Sequence, residues 1–124
     1  MSNCYCGNSL SFQECCEPYI LGFKNVSTAE ALMRSRYSAY VVAEADYLLA
    51  TTHVSTRKSY KKSDILQWSQ ANKWLKLEII ASTENTVTFK AFYLDENLKV
   101  QVHYEHSNFK LENKKWFYVD GTFN

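Results

Sequence analysis

The sequence predicts an α+β fold, in which three helices pack on a bent antiparallel sheet and a small cysteine-rich module precedes them. Up to about residue 72 the apolar residues recur at helical spacing, whereas from Trp74 onward they alternate with polar ones. Polar turn sequences, Glu84-Asn85 and Asp95-Glu96-Asn97, divide the alternating part into hairpins. Helices followed by an antiparallel meander are typical of α+β domains.

The cysteine module consists of Cys4, Cys6, Cys15 and Cys16, which are all the cysteines of the chain. Four thiolates satisfy a tetrahedral Zn2+ ion and leave no open position for water or substrate, so we predict a structural zinc site. Disulfides fit this pattern less well, because disulfide frameworks distribute cysteines along a secreted chain. No basic and apolar leader begins the sequence, which together with reduced cysteines predicts a cytoplasmic protein.

Three helices are expected between the cysteine module and the sheet. The first spans residues 28–42, because Ser27-Thr28-Ala29-Glu30 has the spacing of a capping box. A second, short helix spans residues 44–51. Ser63-Asp64 is expected to cap a third helix that ends near residue 72.

The sheet is expected to contain four strands, over about 74–81, 86–94, 99–111 and 116–120. Apolar residues in the third strand have even numbers from Val100 to Tyr104 but odd numbers at Phe109 and Leu111. A change of parity inside one strand predicts a bulge or sharp bend near residues 105–108. A sheet bent in this way would curl around the first helix and enclose a pocket.

The cysteine stretch resembles the SEC-C motif, a zinc module of the preprotein translocase ATPase. The motif reads C-x-C-G-S-G-x-x-[YF]-x-x-C-[CH], and the matching positions are Cys4, Cys6, Gly7, Ser9, Phe12, Cys15 and Cys16. Asn8 and Leu10 depart from it, although the cysteine spacing is intact. Because the translocase module contacts a chaperone, the resemblance implies zinc and a surface that docks to another protein.

The rest of the chain resembles the YchJ family. Residues 31–41, Ala-Leu-Met-Arg-Ser-Arg-Tyr-Ser-Ala-Tyr-Val, closely match its helix signature, as do residues 46–51 with His53, and residues 109–121 resemble its last hairpin. The resemblance implies a nuclear transport factor 2-like (cystatin-like) cone with a central pocket, over residues 23–124, behind a SEC-C-like module over residues 1–22. It implies a fold and a zinc ion rather than a reaction.

Arg36 is the main candidate for the pocket, since it lies in the middle of the apolar face of the first helix. An unpaired charge there would cost several kcal/mol, so Arg36 either pairs with Asp120, Glu105 or backbone carbonyls or serves as an anion anchor. A histidine paired with a carboxylate would form an acid/base dyad, although single histidines are more often structural. The pocket candidates are Arg36, Tyr37, Tyr40, His53, His103, Tyr104 and Asp120.

Two functions are compatible with these features. The first is an adaptor that docks to a protein partner through the zinc knuckle, where Tyr5, Leu10 and Phe12 surround the metal. The alternative is a small-ligand receptor or enzyme that uses the cone pocket, with Arg36 as anion anchor; a purely structural zinc staple is a third reading. The net charge of +1 and the absence of a long apolar run favour neither nucleic acid nor membrane, despite four cations within residues 57–62. The oligomeric state is left open.

Overall fold

The computed structural model describes residues 3–123 and confirms the predicted α+β order. The four strands follow each other across one antiparallel sheet in chain order. The helices are a 3-10 helix at Phe12–Glu14, α1 at Glu17–Ile20, α2 at Ala29–Val41, α3 at Ala45–Ala50, α4 at Val54–Arg57 and α5 at Lys62–Ala71. The strands are β1 at Lys73–Ser82, β2 at Thr86–Leu94, β3 at Val100–Glu112 and β4 at Lys115–Phe123.

Helix α2 is the centre of the fold, because it contacts helices α1 and α3 as well as strands β1, β2 and β4. Its N-cap is Thr28, whose side-chain oxygen accepts a hydrogen bond from the backbone N–H of Ala31 at 3.0 Å. The predicted capping box therefore begins one residue too early. Eight of the 13 residues of α2 are buried, among them the polar residues Ser35, Arg36 and Ser38.

The inner face of the sheet is formed by alternate residues, as the period of two predicts. Val87, Phe89 and Ala91 of β2 are buried and pack against α2 in the main core. In β3 the buried residues are odd-numbered throughout, including Glu105 and Ser107. The change of apolar parity in β3 therefore does not reflect a change of its inward face, because its even-numbered apolar residues lie on the outer face.

A strand irregularity is nevertheless present close to the predicted position. Asn108 pairs with Asp120, whereas the next residue of β3, Phe109, pairs with Tyr118. The extra residue, Val119, thus belongs to β4 and leaves the alternation of β3 unchanged.

Two short helices, α1 and α4, lie where the sequence predicts connecting segments. Pro18 is tolerated in the first turn of α1, where a backbone N–H has no helical partner. His53 caps α4 by accepting a hydrogen bond on its ring nitrogen from the backbone N–H of Ser55 at 3.2 Å. The backbone N–H of His53 donates to the carbonyl of Tyr118 at 2.7 Å, which attaches α4 to β4.

The cysteine module packs into the same core as the sheet. Cys4, Cys6 and Cys16 are buried and belong to the cluster that contains Leu32 of α2 and Phe89 of β2. The domain boundary at residue 22 therefore stays a prediction, drawn across a shared core. Within residues 3–123, even the longest helix has neither the length nor the apolarity that a bilayer crossing requires.

Candidate metal centre and cavity

The four cysteine sulfurs converge on one point. All four Sγ atoms lie within 4.8 Å of one another. The Sγ atoms of Cys6 and Cys15 are 3.7 Å apart, and those of Cys15 and Cys16 are 3.9 Å apart. A tetrahedral ion with metal–sulfur bonds of about 2.3 Å requires sulfur–sulfur distances of about 3.8 Å. The donor set and its spacing therefore fit a four-coordinate metal ion, as the SEC-C resemblance implies.

Local backbone turns and helix α2 hold the sulfurs in place. Gly7 has a φ of 95°, a value that favours glycine, and its N–H donates to the carbonyl of Cys4 at 3.0 Å. On the α2 side, Nη1 of Arg34 donates to the carbonyl of Cys6 at 2.7 Å. The hydroxyl of Ser38 lies 3.6 Å from the sulfur of Cys4. The module is thus attached to α2 by side chains one helical turn apart.

The cysteine thiols differ in pKa because their hydrogen bonds to one another and their burial differ. The hydrogen bond with Cys16 lowers the pKa of Cys6 to about 5, although burial opposes this shift. Burial raises the pKa of Cys15 to about 11. Hydrogen bonding to Cys6 and burial raise the pKa of Cys16. Since a metal ion binds thiolates, its binding must release the protons of the less acidic thiols.

A separate cavity of about 190 Å³ lies between α2 and the sheet. Its deep wall includes the buried side chains of Tyr37 and Phe89. Three exposed aromatic side chains, Tyr60, Trp68 and Phe123, complete the lining and mark the mouth. Since a cavity of about 150 Å³ holds benzene, this one has room for a single ring with a small substituent.

Arg36 forms part of the cavity wall and is only 6% exposed. Its Nη1 atom donates to the carbonyl of Leu48 at 2.9 Å and to the hydroxyls of Thr51 and Thr52 at 2.7 and 3.3 Å. The guanidinium carbon lies 4.5 Å from the centroid of the Tyr118 ring. Within residues 3–123, Nε and Nη2 of Arg36 have no hydrogen-bond partner, so the guanidinium keeps unused donors.

Glu105 is the second charged group of the cavity wall and is held by three donors. Nε2 of His103 lies 2.7 Å from Oε1, and the hydroxyls of Ser107 and Tyr118 donate to Oε2 at 2.5 and 2.9 Å. Burial raises the pKa of Glu105, but these hydrogen bonds outweigh it and the net pKa is lowered. Burial, followed by the charge of Glu105, raises the pKa of Tyr118, which therefore stays a donor.

Four of the seven predicted pocket residues line the cavity, namely Arg36, Tyr37, Tyr40 and His103. The other three lie elsewhere. Nε2 of His53 is 2.9 Å from a carboxylate oxygen of Glu112, and Tyr104 pairs with Lys90 on the outer face of the sheet. Asp120 is exposed and accepts a hydrogen bond from the side chain of Asn108, so it is not the partner of Arg36.

The basic segment 57–62 is partly engaged within the chain. Nε of Arg57 donates to the carbonyl of Thr52 at 3.0 Å, and Nζ of Lys62 lies 3.0 Å from Asp46. These contacts use two of the four cations of the segment to hold neighbouring helices.

Thr52, Trp68, Trp74 and Tyr118 are among the wall residues that sequence reasoning missed, and Glu105 was considered only as a partner of Arg36. Gly121 is the signal that could have drawn attention to Glu105, because it lies opposite Ser107 in β4. A Cβ at Gly121 would overlap the carboxylate of Glu105. Glycine at this position therefore makes room for a buried acidic side chain.

The fold and the cysteine cluster together define a nuclear transport factor 2-like domain with an N-terminal metal site of the SEC-C type. A sequence model described as "YchJ, middle NTF2-like domain" matches residues 28–121. The chain belongs to the YchJ family.

Similar proteins extend this match to nearly the whole chain. A UPF0225 protein of Geobacter sulfurreducens is 38% identical to this chain, and the match covers 95% of this chain and 77% of that protein. A UPF0225 protein of Vibrio cholerae is 39% identical, and the match covers 98% of this chain and 83% of that protein. A SEC-C motif containing protein of Rhodopseudomonas palustris has a solution structure with a TM-score of 0.90 at 29% identity, covering 98% of both chains. A crystal structure of a SEC-C motif containing protein from Psychrobacter arcticus has a TM-score of 0.85 at 30% identity, and the match covers 100% of this chain and 84% of that chain.

The cysteine cluster leads to a first prediction. Replacing Cys16 by serine removes one of four ligands, so metal binding should weaken by more than the roughly 10-fold to 100-fold typical of losing an outer-shell partner. Because three of the cysteines are buried in the main core, the melting temperature should fall as well. Elemental analysis and thermal denaturation measure both effects. Gln13→Ala, an exposed change in the same module, is the control, and a Cys16→Ser protein with unchanged metal content would contradict the prediction.

Gly121 leads to a second prediction. Gly121→Ala should lower the free energy of unfolding by about 1–3 kcal/mol, because the added methyl group overlaps the buried Glu105 carboxylate. Chemical denaturation measures this loss. The exposed neighbour Thr122 provides the matched variant, Thr122→Ala, which should change stability by less than about 0.5 kcal/mol. Equal effects of the two substitutions would show that Gly121 makes no room for Glu105.

Proposed function

We propose that the chain is a Zn2+-binding protein whose cavity is a receptor site for a small, ring-sized molecule with an anionic oxygen group. The single observation that carries the receptor function is Arg36, a buried cation with unused donors on the wall of a cavity of about 190 Å³. Zinc is the metal that four thiolates in a tetrahedral arrangement favour. In this proposal the metal stabilises the domain and takes no part in binding the ligand.

The electrostatics of the cavity support an anionic ligand. Glu105 is already engaged by three protein donors, so both of its carboxylate oxygens are occupied within the wall. Arg36 has hydrogen bonds from Nη1 alone, which leaves it as the cation available to a ligand. A guanidinium in a largely apolar site binds a carboxylate through charge-assisted hydrogen bonds, and aromatic walls accommodate a ring.

Benzoate and benzamide test this proposal, because they have the same shape and differ in charge. We expect benzoate to bind about tenfold more tightly or better, since a hydrogen bond to a charged group contributes about 1.5–3 kcal/mol. Tryptophan fluorescence can follow the titration, because Trp68 and Trp74 line the cavity. Equal affinities, or no binding of either compound, would rule out the anion receptor.

Two arginine variants test whether the ligand binds next to Arg36. Arg36→Gln should remove the preference for benzoate, whereas Arg34→Gln should keep it. Arg34 is a matched control, because it lies on the same helix and donates to a backbone carbonyl, but at the cysteine module. Arg36 also holds the carbonyl of Leu48, so circular dichroism must confirm that the variant is folded. If it is not folded, the comparison of the two ligands on the unaltered protein still decides.

A second candidate function, docking to a protein partner through the cysteine module, is supported by a different observation. Tyr5 and Leu10 are 47% and 51% exposed beside the buried sulfurs. The ring centroids of Tyr5 and Phe12 lie 5.2 Å apart, which supports one edge of this apolar surface. Exposed apolar side chains on a small module held rigid by metal suit a protein interface.

Site-specific photo-crosslinking tests the docking function. A crosslinking residue in place of Leu10 should give one dominant protein adduct when a cell extract is irradiated, and metal chelation of the extract before irradiation should abolish it. The matched position is Leu98, which is exposed in the turn before β3 and far from the cysteines in sequence. An adduct pattern common to both positions, or an adduct that survives metal removal, would contradict docking through the module.

A further inference from the structure

We propose that the cavity is a proton-abstraction site, in which Nδ1 of His103 accepts a proton from a bound ring-sized acid such as a phenol or an enolisable ketone. This inference rests on the proposed receptor function and names its substrate class. The ligand becomes an oxyanion as it loses the proton, and Arg36 supplies the positive charge that stabilises it. No residue of the cysteine module takes part.

The first step of the argument is the orientation of His103. Its Nε2 lies 2.7 Å from Oε1 of Glu105, and within residues 3–123 its Nδ1 has no hydrogen-bond partner. With Nε2–H donating to the carboxylate, the neutral ring carries its free lone pair on Nδ1. The ring is fixed laterally by Phe89 and Phe123, whose centroids lie 6.1 and 5.0 Å from that of His103. Because His103 lines the cavity, Nδ1 is the ring atom that we assign as the proton acceptor.

The second step is the charge behind His103. Glu105 is 5% exposed and remains an acceptor for three donors, so it is a fixed negative charge next to the imidazole. A carboxylate in this position stabilises the imidazolium that forms when Nδ1 takes a proton. Glu105, held by Ser107 and Tyr118, is thus a positioning residue, because it acts on the proton transfer through His103.

The third step is the site for the developing anion. Arg36 and Glu105 are both in contact with Tyr118, the former over its ring and the latter at its hydroxyl. Tyr118 therefore keeps the cation and the carboxylate apart on one cavity wall, so the unused donors of Arg36 are not neutralised by a direct ion pair. A preorganised cation stabilises an oxyanion more strongly than water does where the bound ligand displaces water from around it.

The proton transfer balances without a further reactant. The O–H or activated C–H bond of the ligand breaks, its electron pair stays on the ligand as a phenolate or enolate, and the proton binds Nδ1. Return of the proton to the same atom restores the ligand, and return to another atom of an enolate isomerises it. Neither an oxidant nor a metal ion is required.

4-Nitrophenol is the probe for the experiment, because its phenolate absorbs visible light and its phenol does not. The protein is titrated with it in a buffer below the pKa of the free probe, and binding is followed independently by tryptophan fluorescence. We expect the bound probe to be the phenolate. Calorimetry in two buffers of different ionisation enthalpy should show no proton release to the buffer, because His103 retains the proton.

Three variants assign the proton acceptor. His103→Gln keeps a donor for Glu105 but has no basic nitrogen, so the phenolate-to-phenol ratio should fall by about tenfold or more while binding persists. Glu105→Gln keeps an acceptor for His103 but removes the charge, and should lower the ratio as well. His106 on the same strand provides the matched control, since it lies on the outer face with Nδ1 2.6 Å from the hydroxyl of Thr88. His106→Gln should leave the absorbance unchanged.

The outcomes separate this inference from the receptor function on which it rests. Bound probe that stays a phenol, or a phenolate that persists in His103→Gln with one proton released to the buffer, overturns proton abstraction and leaves the receptor intact. Absence of any fluorescence change overturns both for this ligand class. A phenolate that depends on His103 and Glu105, but not on His106, supports the inference.

Discussion

The structure depends on the enclosure of helix α2. Helix α2 contacts the cysteine module, a second helix and three strands, and eight of its 13 residues are buried, so each buried polar side chain needs an internal partner. Ser38 reaches the sulfur of Cys4, and Arg36 reaches the carbonyl of Leu48. Arg34, at the edge of the buried surface, reaches the carbonyl of Cys6. The same helix thus fixes the metal cluster, the end of α3 and the cavity wall.

The cysteine cluster and the cavity share no residues, yet because both pack on α2, the stability of the cavity wall depends on the cysteine module. The cysteine sulfurs leave no accessible ligand position, and three of the four cysteines are core residues. A metal ion there would hold a short segment that buries little apolar area by itself. Loss of that segment would expose the side of α2 that carries Arg34 and Ser38, although no cavity residue is itself a metal ligand.

The sequence predicted helices and strands well where the apolar periodicity extends over many residues. It predicted them poorly where the inner face of a strand is polar. Helix α2, the strand β2 and the cysteine cluster were found within a residue or two, because each has a strong local signal. Helix α4 has four residues, too few for periodicity to register. In β3 the alternation of apolar residues does not identify the inner face, because Val100 and Val102 are exposed whereas Glu105 and Ser107 are buried. Their burial depends on each other and on Tyr118, a partnership that no local pattern encodes.

The charged residues of the cavity wall must lose their hydration on folding, a free-energy cost that an apolar wall of the same shape would not have. Burying a guanidinium and a carboxylate is unfavourable unless both are well hydrogen-bonded, and an apolar replacement is often at least as stable. Here Glu105 takes three donors and requires a glycine across the sheet, while Arg36 takes acceptors from Nη1 only. A purely structural pair would be satisfied on both sides. The asymmetry, with a saturated carboxylate and a cation that keeps unused donors on one cavity wall, is the feature on which the proposed receptor function rests.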